Sequence, residues 1–535
     1  MNSNKIKNEI NILLLGETGV GKTTFINAFA NYLNSDSLEQ AVNSRPLCLI
    51  PTQFVITDAD YQLRNVSYGD DNNENFDSPG QSTTQQCRAY CFRYENDDHQ
   101  ILVRLIDTPG VGDTRGTDQD KYNLDHVLQF ISQYEWLHLI CILMKPDMVR
   151  LTETFQYCLK QLLSYLQKDA SNNMVFVFTN TRPTFYRPKN TPALLKQVLD
   201  ELETQTPGVR IPLDKQTMYC VDNDSFQYLI AVRDGVEFEA DLLDNYELSW
   251  QRSVDECKRL LNYVTVGQSR KPLPPHRIQN TLSINETRRL ILALSEPLVK
   301  VSDDICDYLN ELNQLRAQVA DCQEDIDNIL TKLRHVDRQE PTGFFGRLFG
   351  SKNRADKEKD KLLELLSETT DSQKTKENSI IHIDCLIHVL KQEEDTIMQS
   401  MAKFALFLKR NAITVWNDSC DDYISKQKSI VQTSSKSMET IRQELDKWQA
   451  IYERYGMERK LLEKAIDLGE LEGIEISVEN VANLIPALYE LKYTGDEIRE
   501  QHRKYMAHNE LAIKRELIYV IEPNESRSFF MAIKF

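Results

Sequence analysis

The sequence predicts an α/β domain, built on a mostly parallel sheet with helices on both faces, followed by a long α-helical, coiled-coil region. Three observations predict this fold class. Short apolar strands alternate with amphipathic helices from residue 10 to about residue 235. A glycine-rich loop stands between the first strand and the first helix. Apolar residues at heptad spacing then fill the chain after residue 290.

The predicted strands fall at the apolar runs of the N-terminal half. They cover residues 11–15, 101–107, 137–144, 174–179 and 218–221. Residues 88–94 and 100–106 are predicted to form an antiparallel pair, because two short apolar runs are separated by a polar turn.

The composition shifts along the chain predict four regions. Residues 1–266 form the α/β domain, and the proline-rich, polar residues 267–282 form a linker. Residues 283–430 form an antiparallel helical hairpin whose tip lies near residues 340–355. Residues 431–535 are predicted to be mainly helical, and no motif there indicates a role.

Two heptad seams carry the hairpin prediction. Apolar residues recur at spacings of three and four from Ile291 to Leu333, which predicts a helix roughly 60 Å long at 1.5 Å per residue. A weaker seam runs from Ile380 to Leu408 and carries Glu394 at one of its positions. The proline and glycines between the two seams predict a reversal of the chain.

Bulk properties exclude some classes of function. The formal net charge of −18 repels a polyphosphate backbone, so nucleic acid is not an expected partner. The 11 cysteines are scattered without a CxxC pair, which is typical of reduced, mostly buried thiols. The N-terminus has no secretory pattern, and a cytoplasmic location, with peripheral contact at an internal membrane as an extension of it, is the expectation.

The stretch GETGVGKTT (residues 16–24) matches the phosphate-loop pattern GxxxxGK[ST]. Gly16, Gly19 and Gly21 allow the backbone to curl so that its N–H groups face phosphate oxygens. Lys22 supplies a positive charge to the outer phosphates, and the Thr23 hydroxyl is a ligand for Mg²⁺. The predicted nucleotide-binding residues of this loop are Gly16, Glu17, Thr18, Gly19, Val20, Gly21, Lys22, Thr23 and Thr24.

A second phosphate-side element is DTPG at residues 107–110. Asp107 ends an apolar strand, as required of a carboxylate that holds Mg²⁺ through water, and the Gly110 N–H is predicted to bind the terminal phosphate. Thr84 is the candidate switch threonine that reaches Mg²⁺ when the terminal phosphate is present, with Thr83 as the alternative. The predicted catalytic residues are therefore Lys22, Thr84 and Gly110, and the predicted metal ligands are Thr23, Thr84 and Asp107.

These motifs resemble those of a known family. GETGVGKTTFINA, GQSTTQQC and DTPGVGDTRG are similar to the immunity-associated (GIMAP-like), septin and chloroplast-import-receptor branch of P-loop GTPases, over about residues 8–235. The resemblance implies a G domain that binds GTP and GDP with Mg²⁺. It also implies that paired G domains complete or control each other's sites.

Two departures from the wider GTPase pattern bear on the mechanism. Where that pattern has N/T-K-x-D, this chain has Thr179, Asn180, Thr181 and Arg182. Thr179 and Asn180 are predicted to line the base pocket, with residues 220–226 as a further part, but Arg182 cannot accept hydrogen bonds from guanine. Val111 stands where small signalling GTPases have a water-orienting glutamine, which implies slow hydrolysis.

Three functions remain open from the sequence. The first is a GTP-binding switch, with slow hydrolysis stimulated by dimerisation, that acts on assembly or membrane association through the helical arm. The second is a coiled-coil scaffold protein with a structural, barely hydrolysed nucleotide. The third is an ATPase, or a small-molecule kinase, using the same phosphate loop.

The hairpin tip GFFGRLFGSKNR (residues 343–354) combines apolar and basic residues without an acid. That composition suits insertion of Phe344 and Phe349 into anionic lipid, so residues 344–349 are a candidate membrane contact. The alternative, that these side chains pack back onto another helix, remains open because apolar residues in helix connections are commonly core. Self-association through the G domains or the coiled coil is the other expected contact.

Overall fold

A computed structural model of the chain describes residues 9–69, 86–96, 99–110, 123, 126–148, 150–151, 153–266, 272–338, 352–416, 420–432, 438–471, 478–507, 518–521 and 532–533. The chain divides into two compact units. The first comprises Met1–Arg288, Leu406–Glu463 and Tyr505–Phe535, and the second comprises Arg289–Ala405 and Lys464–Lys504.

The regular elements of the described residues are as follows. The strands are β1 (Glu9–Gly16), β2 (Thr52–Thr57), β3 (Leu63–Tyr68), β4 (Arg88–Asn96), β5 (His99–Asp107), β6 (Trp136–Leu137), β7 (Leu139–Met144), β8 (Met174–Phe178), β9 (Met218–Cys220), β10 (His276–Arg277), β11 (Ile518–Ile521) and β12 (Ala532–Ile533). The helices are α1 (Lys22–Asn34), α2 (Leu38–Asn43), α3 (Glu153–Tyr165), α4 (Thr191–Gln205), α5 (Asp224–Arg233), α6 (Leu243–Thr265), α7 (Ile278–Arg338), α8 (Lys352–Asn411), α9 (Cys420–Gln432), α10 (Met438–Leu471), α11 (Val478–Tyr489) and α12 (Gly495–Ala507).

The first unit is built on an eight-stranded sheet in the order β12-β11-β4-β5-β1-β7-β8-β9. The five strands β5, β1, β7, β8 and β9, in that order in the sheet, run parallel to one another. Strand β4 is antiparallel to β5, and β12 is antiparallel to β11. The predicted mostly parallel sheet and the predicted antiparallel pair are confirmed. Because the parallel strands share one direction, their C-terminal ends meet at one edge of the sheet, where ligands bind in such folds.

The two faces of the sheet are covered by different helices. Ile12 and Leu14 of β1 point into a core formed with α1, α5 and α6, which contribute Phe25, Phe226 and Trp250 among others. Leu13 and Leu15 point into a second core, formed with residues 126–131, α3 and α4. Side chains alternate across a strand, so a stretch covered on both faces is apolar throughout, as residues 12–15 of β1 are.

Strands β2 and β3 form a separate two-stranded antiparallel sheet that the sequence analysis did not predict. Val55 and Leu63 are apolar but exposed, with exposed fractions of 59% and 76%. The two strands therefore lack the alternation of apolar and polar residues by which a half-buried strand is predicted. The run 137–144, predicted as one strand, is interrupted at His138. Strand β11 lies parallel to β4, within a region predicted to be mainly helical.

Helix α7 begins at Ile278, inside the range predicted as a linker and before the predicted start at residue 283. The reason is burial: Ile278 is part of the core formed with α3 and α4. Just before it, β10 pairs with β6, so residues 276 and 277 are already hydrogen-bonded to the domain. The His276 ring lies 2.9 Å from a carboxylate oxygen of Asp169 and 2.8 Å from the Thr281 hydroxyl.

In the second unit, α7 and α8 pack against each other in opposite directions. Val301 and Ile305 of α7 share a core cluster with Leu390 of α8. Further along α7, Leu312 packs with Ile383 and Ile387, which come earlier in α8. Rising residue numbers on one helix meet falling numbers on the other, so the two helices pack antiparallel.

Polar residues in the second seam have specific partners. The Ser302 hydroxyl donates to Glu394 at 2.5 Å, which accounts for a carboxylate at a seam position. The neighbouring Glu393 is buried and accepts from the backbone N–H groups of Tyr493 and Thr494 at 2.9 and 3.0 Å. These N–H groups precede α12 and lack intrahelical partners, so Glu393 fixes the start of that helix against α8.

The nine cysteines whose side chains the structure describes are free thiols, and six of them are buried. Among the helices that the structure describes, none has an apolar stretch of the length needed to span a bilayer.

Candidate functional site

The loop from β1 to α1 is shaped by its glycines. A Cβ on Gly16 would lie 2.7 Å from the carbonyl oxygen of Leu143 in β7, so only glycine fits at that point. Gly19 and Gly21 have φ angles of +76° and +94°, in the left-handed region that side chains disfavour. The chain therefore curls tightly between the end of β1 and Lys22, the first residue of α1.

Lys22 is folded back over this loop. Its Nζ donates to the carbonyl oxygens of Gly16 at 3.0 Å and Glu17 at 3.3 Å, and the residue is only 6% exposed. Burying an ammonium group is costly unless acceptors surround it. The carbonyl oxygens of the loop therefore hold the positive charge at the loop itself, where phosphate oxygens would be its further partners.

The second phosphate-side element meets the loop. Strand β5 pairs in parallel with β1, which places Asp107 at the same edge of the sheet as the loop. The Thr23 hydroxyl lies 3.4 Å from Asp107 Oδ2. Asp107 is fully buried, and its Oδ1 accepts from the Thr108 N–H at 3.0 Å. A hydroxyl and a fixed carboxylate oxygen side by side are a suitable donor set for Mg²⁺.

Gly110 packs directly against the phosphate loop. A Cβ on Gly110 would lie 2.7 Å from Thr18 Cα and 2.9 Å from Thr18 N. The Thr108 hydroxyl also donates to the Leu14 carbonyl oxygen at 2.7 Å. Residues 107–110 and the phosphate loop are thus two parts of one site, although they are far apart in the sequence.

The predicted base-pocket residues lie beside the same loop. The Thr179 hydroxyl donates to the Val20 carbonyl oxygen at 2.7 Å, and Asn180 has a φ of +54°. The Thr181 hydroxyl donates to the Val221 carbonyl oxygen at 2.9 Å. The loop after β8 is therefore tied both to the phosphate loop and to the loop after β9.

The loop after β9 contributes residues that the sequence analysis named only as part of the range 220–226. Asn223 is buried, and its amide nitrogen would be 3.4 Å from a Cβ on Gly21. Among the described residues, neither polar atom of its amide has a hydrogen-bond partner. Asp222 is fully buried and accepts from the Ser249 hydroxyl at 2.7 Å. Burial, together with the nearby carboxylate of Asp224, raises the pKa of Asp222 to about 6.

Arg182 connects the two loops. Its Nη2 lies 2.7 Å from Asp224 Oδ2, and its guanidinium carbon lies 4.9 Å from the centre of the Tyr246 ring. Arg182 departs from the GTPase pattern in the sequence, but its ion pair with Asp224 is evident only in the structure. Both partners stand in the sequence as charged residues after apolar strands, yet only the folded sheet brings the two strand ends together.

Some predicted residues lie outside the described residues. These are the switch threonine Thr84, its alternative Thr83, the Val111 position and the hairpin tip at residues 344–349. Their assignments stay predictions from the sequence.

Strand order, phosphate loop, buried lysine and strand-end aspartate define the class: an α/β P-loop domain of the G-domain type, followed by a long helical region. No protein-family model matches the chain, and no curated protein matches its sequence.

The similar solved structures include three of Toc33 from Arabidopsis thaliana. They are a dimerization-deficient mutant (14% identity, TM-score 0.27, covering 49% of this chain and 87% of that one), the complex with GDP and Mg²⁺ (16%, 0.25, 50% and 88%) and the complex with Mg²⁺ and GMPPNP (14%, 0.24, 46% and 86%). Toc33 is a chloroplast import receptor GTPase, from the branch that residues 8–235 resemble.

Proposed function

We propose that this chain binds GTP and GDP with Mg²⁺, hydrolyses GTP slowly, and acts as a switch for assembly or membrane association through its helical arm. The observation that carries the proposal is the distance of 3.4 Å between the Thr23 hydroxyl and the Asp107 carboxylate, with Gly110 packed on Thr18. A metal ion and a terminal phosphate bound at the loop would both contact residues 107–110. Such a contact is how switch proteins of this class sense the terminal phosphate.

Each residue has a distinct role in the proposed site. The backbone N–H groups of residues 16–21 and the Lys22 ammonium bind phosphate oxygens. The Thr23 hydroxyl and Asp107, the latter through water, hold Mg²⁺, and Thr84 completes the metal site when GTP is bound. The Gly110 N–H binds the terminal phosphate, so residues 107–110 differ in their contacts between GTP and GDP.

Slow hydrolysis is proposed from the residue at position 111. A valine side chain cannot orient the attacking water, whereas a glutamine can. The helical arm offers the means of relay, since α7 and α8 form a long antiparallel hairpin within their own unit.

The two other candidate functions differ in the nucleotide that they predict to co-purify with the chain. A scaffold protein with a structural nucleotide would retain GDP or GTP without turnover, and an ATPase or small-molecule kinase would retain ADP or ATP. The nucleotide that co-purifies with the chain should therefore be extracted, identified and quantified. A stoichiometric guanine nucleotide supports the proposed switch and the scaffold function alike, and turnover then separates these two. An adenine nucleotide contradicts both and supports the ATPase or kinase function.

Hydrolysis is expected to depend on self-association. A charge or a water-orienting group supplied by a second molecule accelerates phosphoryl transfer by orders of magnitude, so a monomer lacking both should be nearly inactive. Turnover per molecule should then rise with protein concentration over about a hundredfold range, because dimer formation follows mass action.

Light scattering of the protein with GDP and with a non-hydrolysable GTP analogue measures its oligomeric state in each nucleotide. A constant specific activity from a protein that stays monomeric in both nucleotides would eliminate the self-association proposal. It would favour the scaffold function instead.

The hairpin tip is expected to bind anionic lipid. Phe344→Asp and Phe349→Asp should each reduce sedimentation with vesicles that contain an anionic lipid, because a carboxylate opposes both insertion and the attraction to the headgroups. Ile381→Asp is the matched control, since Ile381 is an exposed apolar residue on α8 and lies outside residues 343–354 in the sequence. Equal sedimentation of the wild type and the tip variants would remove the membrane proposal and leave packing against a helix.

A further inference from the structure

The base pocket lacks the aspartate by which the wider GTPase pattern binds guanine. Arg182 stands at that place, and a guanidinium has donors only, so it cannot accept the N1 and N2 hydrogens of guanine. If the chain binds guanine nucleotides, as proposed above, another group must accept them. The inference below rests on that proposed function and concerns which group this is.

Two carboxylates lie near Arg182, and their accessibility separates them. Asp222 is 0% exposed, with one oxygen bound to Ser249 and the other enclosed by protein. A base could reach it only if the surrounding residues moved. The Asp224 side chain is 35% exposed, so its carboxylate is open to a ligand.

Asp224 is also held in one orientation. Its Oδ2 lies 2.7 Å from Arg182 Nη2, and Arg182 in turn lies over the Tyr246 ring, with 4.9 Å between the guanidinium carbon and the ring centre. Arg182 Nε is 3.9 Å from Asp222 Oδ2, so the buried carboxylate balances part of its charge. Because the planar guanidinium is held by these three neighbours, it restricts the orientation of the Asp224 carboxylate that it binds.

The pair is placed at the phosphate loop. Thr179, in the loop that carries Arg182, donates to the Val20 carbonyl oxygen at 2.7 Å. Asn223, which precedes Asp224, has its amide nitrogen 3.4 Å from the position of a Cβ on Gly21. Both loops therefore flank the phosphate loop on one side, within reach of a base whose phosphates bind there.

We propose that the Asp224 carboxylate, positioned by Arg182, accepts the N1–H and N2–H hydrogen bonds of guanine, and that this ion pair replaces the missing aspartate. Adenine presents an unprotonated N1 at the same edge, and the carboxylate would face it without a hydrogen bond. The pair thus selects guanine over adenine. Arg182 is a positioning residue and does not itself accept from the base.

The test exchanges the carboxylate for an amide of the same shape. Asp224→Asn should weaken GDP binding by about tenfold to a hundredfold, since two charge-assisted hydrogen bonds are lost. It should strengthen binding of XDP, because xanthine carries an oxygen at C2 that the new amide N–H₂ can bind. Asp36→Asn is the control: Asp36 is an exposed aspartate in an ion pair with Lys258.

The wild-type protein supplies a second measurement that needs no substitution. IDP, which lacks the N2 amine, should bind about tenfold more weakly than GDP, and ADP more weakly still. Arg182→Lys should weaken GDP binding while thermal unfolding reports whether the fold is kept.

Three outcomes overturn the inference. They are unchanged GDP affinity in Asp224→Asn, an equal loss for GDP and XDP, and equal wild-type affinities for GDP and IDP. If the wild type binds ADP as tightly as GDP and loses both in Lys22→Ala, base selection fails while the phosphate site stands. If the wild type binds no nucleotide, the proposed function itself fails.

Discussion

Replacing Lys22 with alanine is expected to weaken binding of both GDP and GTP by about a hundredfold or more. The ammonium is held at the loop by the carbonyl oxygens of Gly16 and Glu17, where it would contact two phosphates. Each hydrogen bond to a charged group contributes about 1.5–3 kcal/mol, so losing two corresponds to roughly this factor. Titration calorimetry with GDP and a non-hydrolysable GTP analogue measures the change.

The control for Lys22→Ala is Lys258→Ala. Lys258 also forms a polar contact, with Asp36 at 2.6 Å, but it lies exposed on α6. The two variants remove the same charge, so a general effect of net charge would appear in both. Guanine-nucleotide affinity unchanged in Lys22→Ala would refute the assignment of the phosphate site.

Gly110→Ala is expected to lower the affinity for GTP more than the affinity for GDP. The added Cβ would meet backbone atoms of Thr18 at 2.7 and 2.9 Å, and backbone cannot yield as a side-chain tip can. Residues 107–110 must then move away from the phosphate loop, and the Gly110 N–H loses the terminal phosphate. The GTP-analogue affinity should fall about tenfold or more, because a charge-assisted hydrogen bond is lost, while GDP affinity changes less.

The control here is Gly456→Ala in α10, where a Cβ would meet nothing within 4 Å. Calorimetry with both nucleotides and a hydrolysis assay are the measurements. Equal losses for GDP and the GTP analogue would mean that Gly110 supports the loop in general and does not sense the terminal phosphate.

The strand and helix pattern of the first unit was predictable because it is local. β1, β5, β7 and β8 are apolar runs, and the tight glycine loop between β1 and α1 has a composition that few other structures require. The heptad seam of α7 is likewise a repeat along the chain. Each of these signals lies within one stretch of sequence, so it could be recognised without knowing the fold.

Elements whose burial depends on residues distant in the sequence could not be predicted from the sequence. Strand β11 exists through its pairing with β4, and Ile278 starts a helix because it enters a core formed by α3 and α4. In the hairpin of β2 and β3, Val55 and Leu63 are apolar but exposed, so polar and apolar residues do not alternate with burial along these strands. Propensity and period cannot indicate what only tertiary contacts stabilise.

The sequence by itself determined that a phosphate loop and a strand-end aspartate exist in the order a metal–phosphate site requires. The tertiary structure decided that the Thr23 hydroxyl lies 3.4 Å from Asp107 and that Arg182 pairs with Asp224 at 2.7 Å. It also decided which carboxylate is open: Asp222 is enclosed, and Asp224 is accessible. The physical reason is that parallel strands bring distant strand ends to one edge of the sheet, and accessibility there is set by packing that no local pattern records.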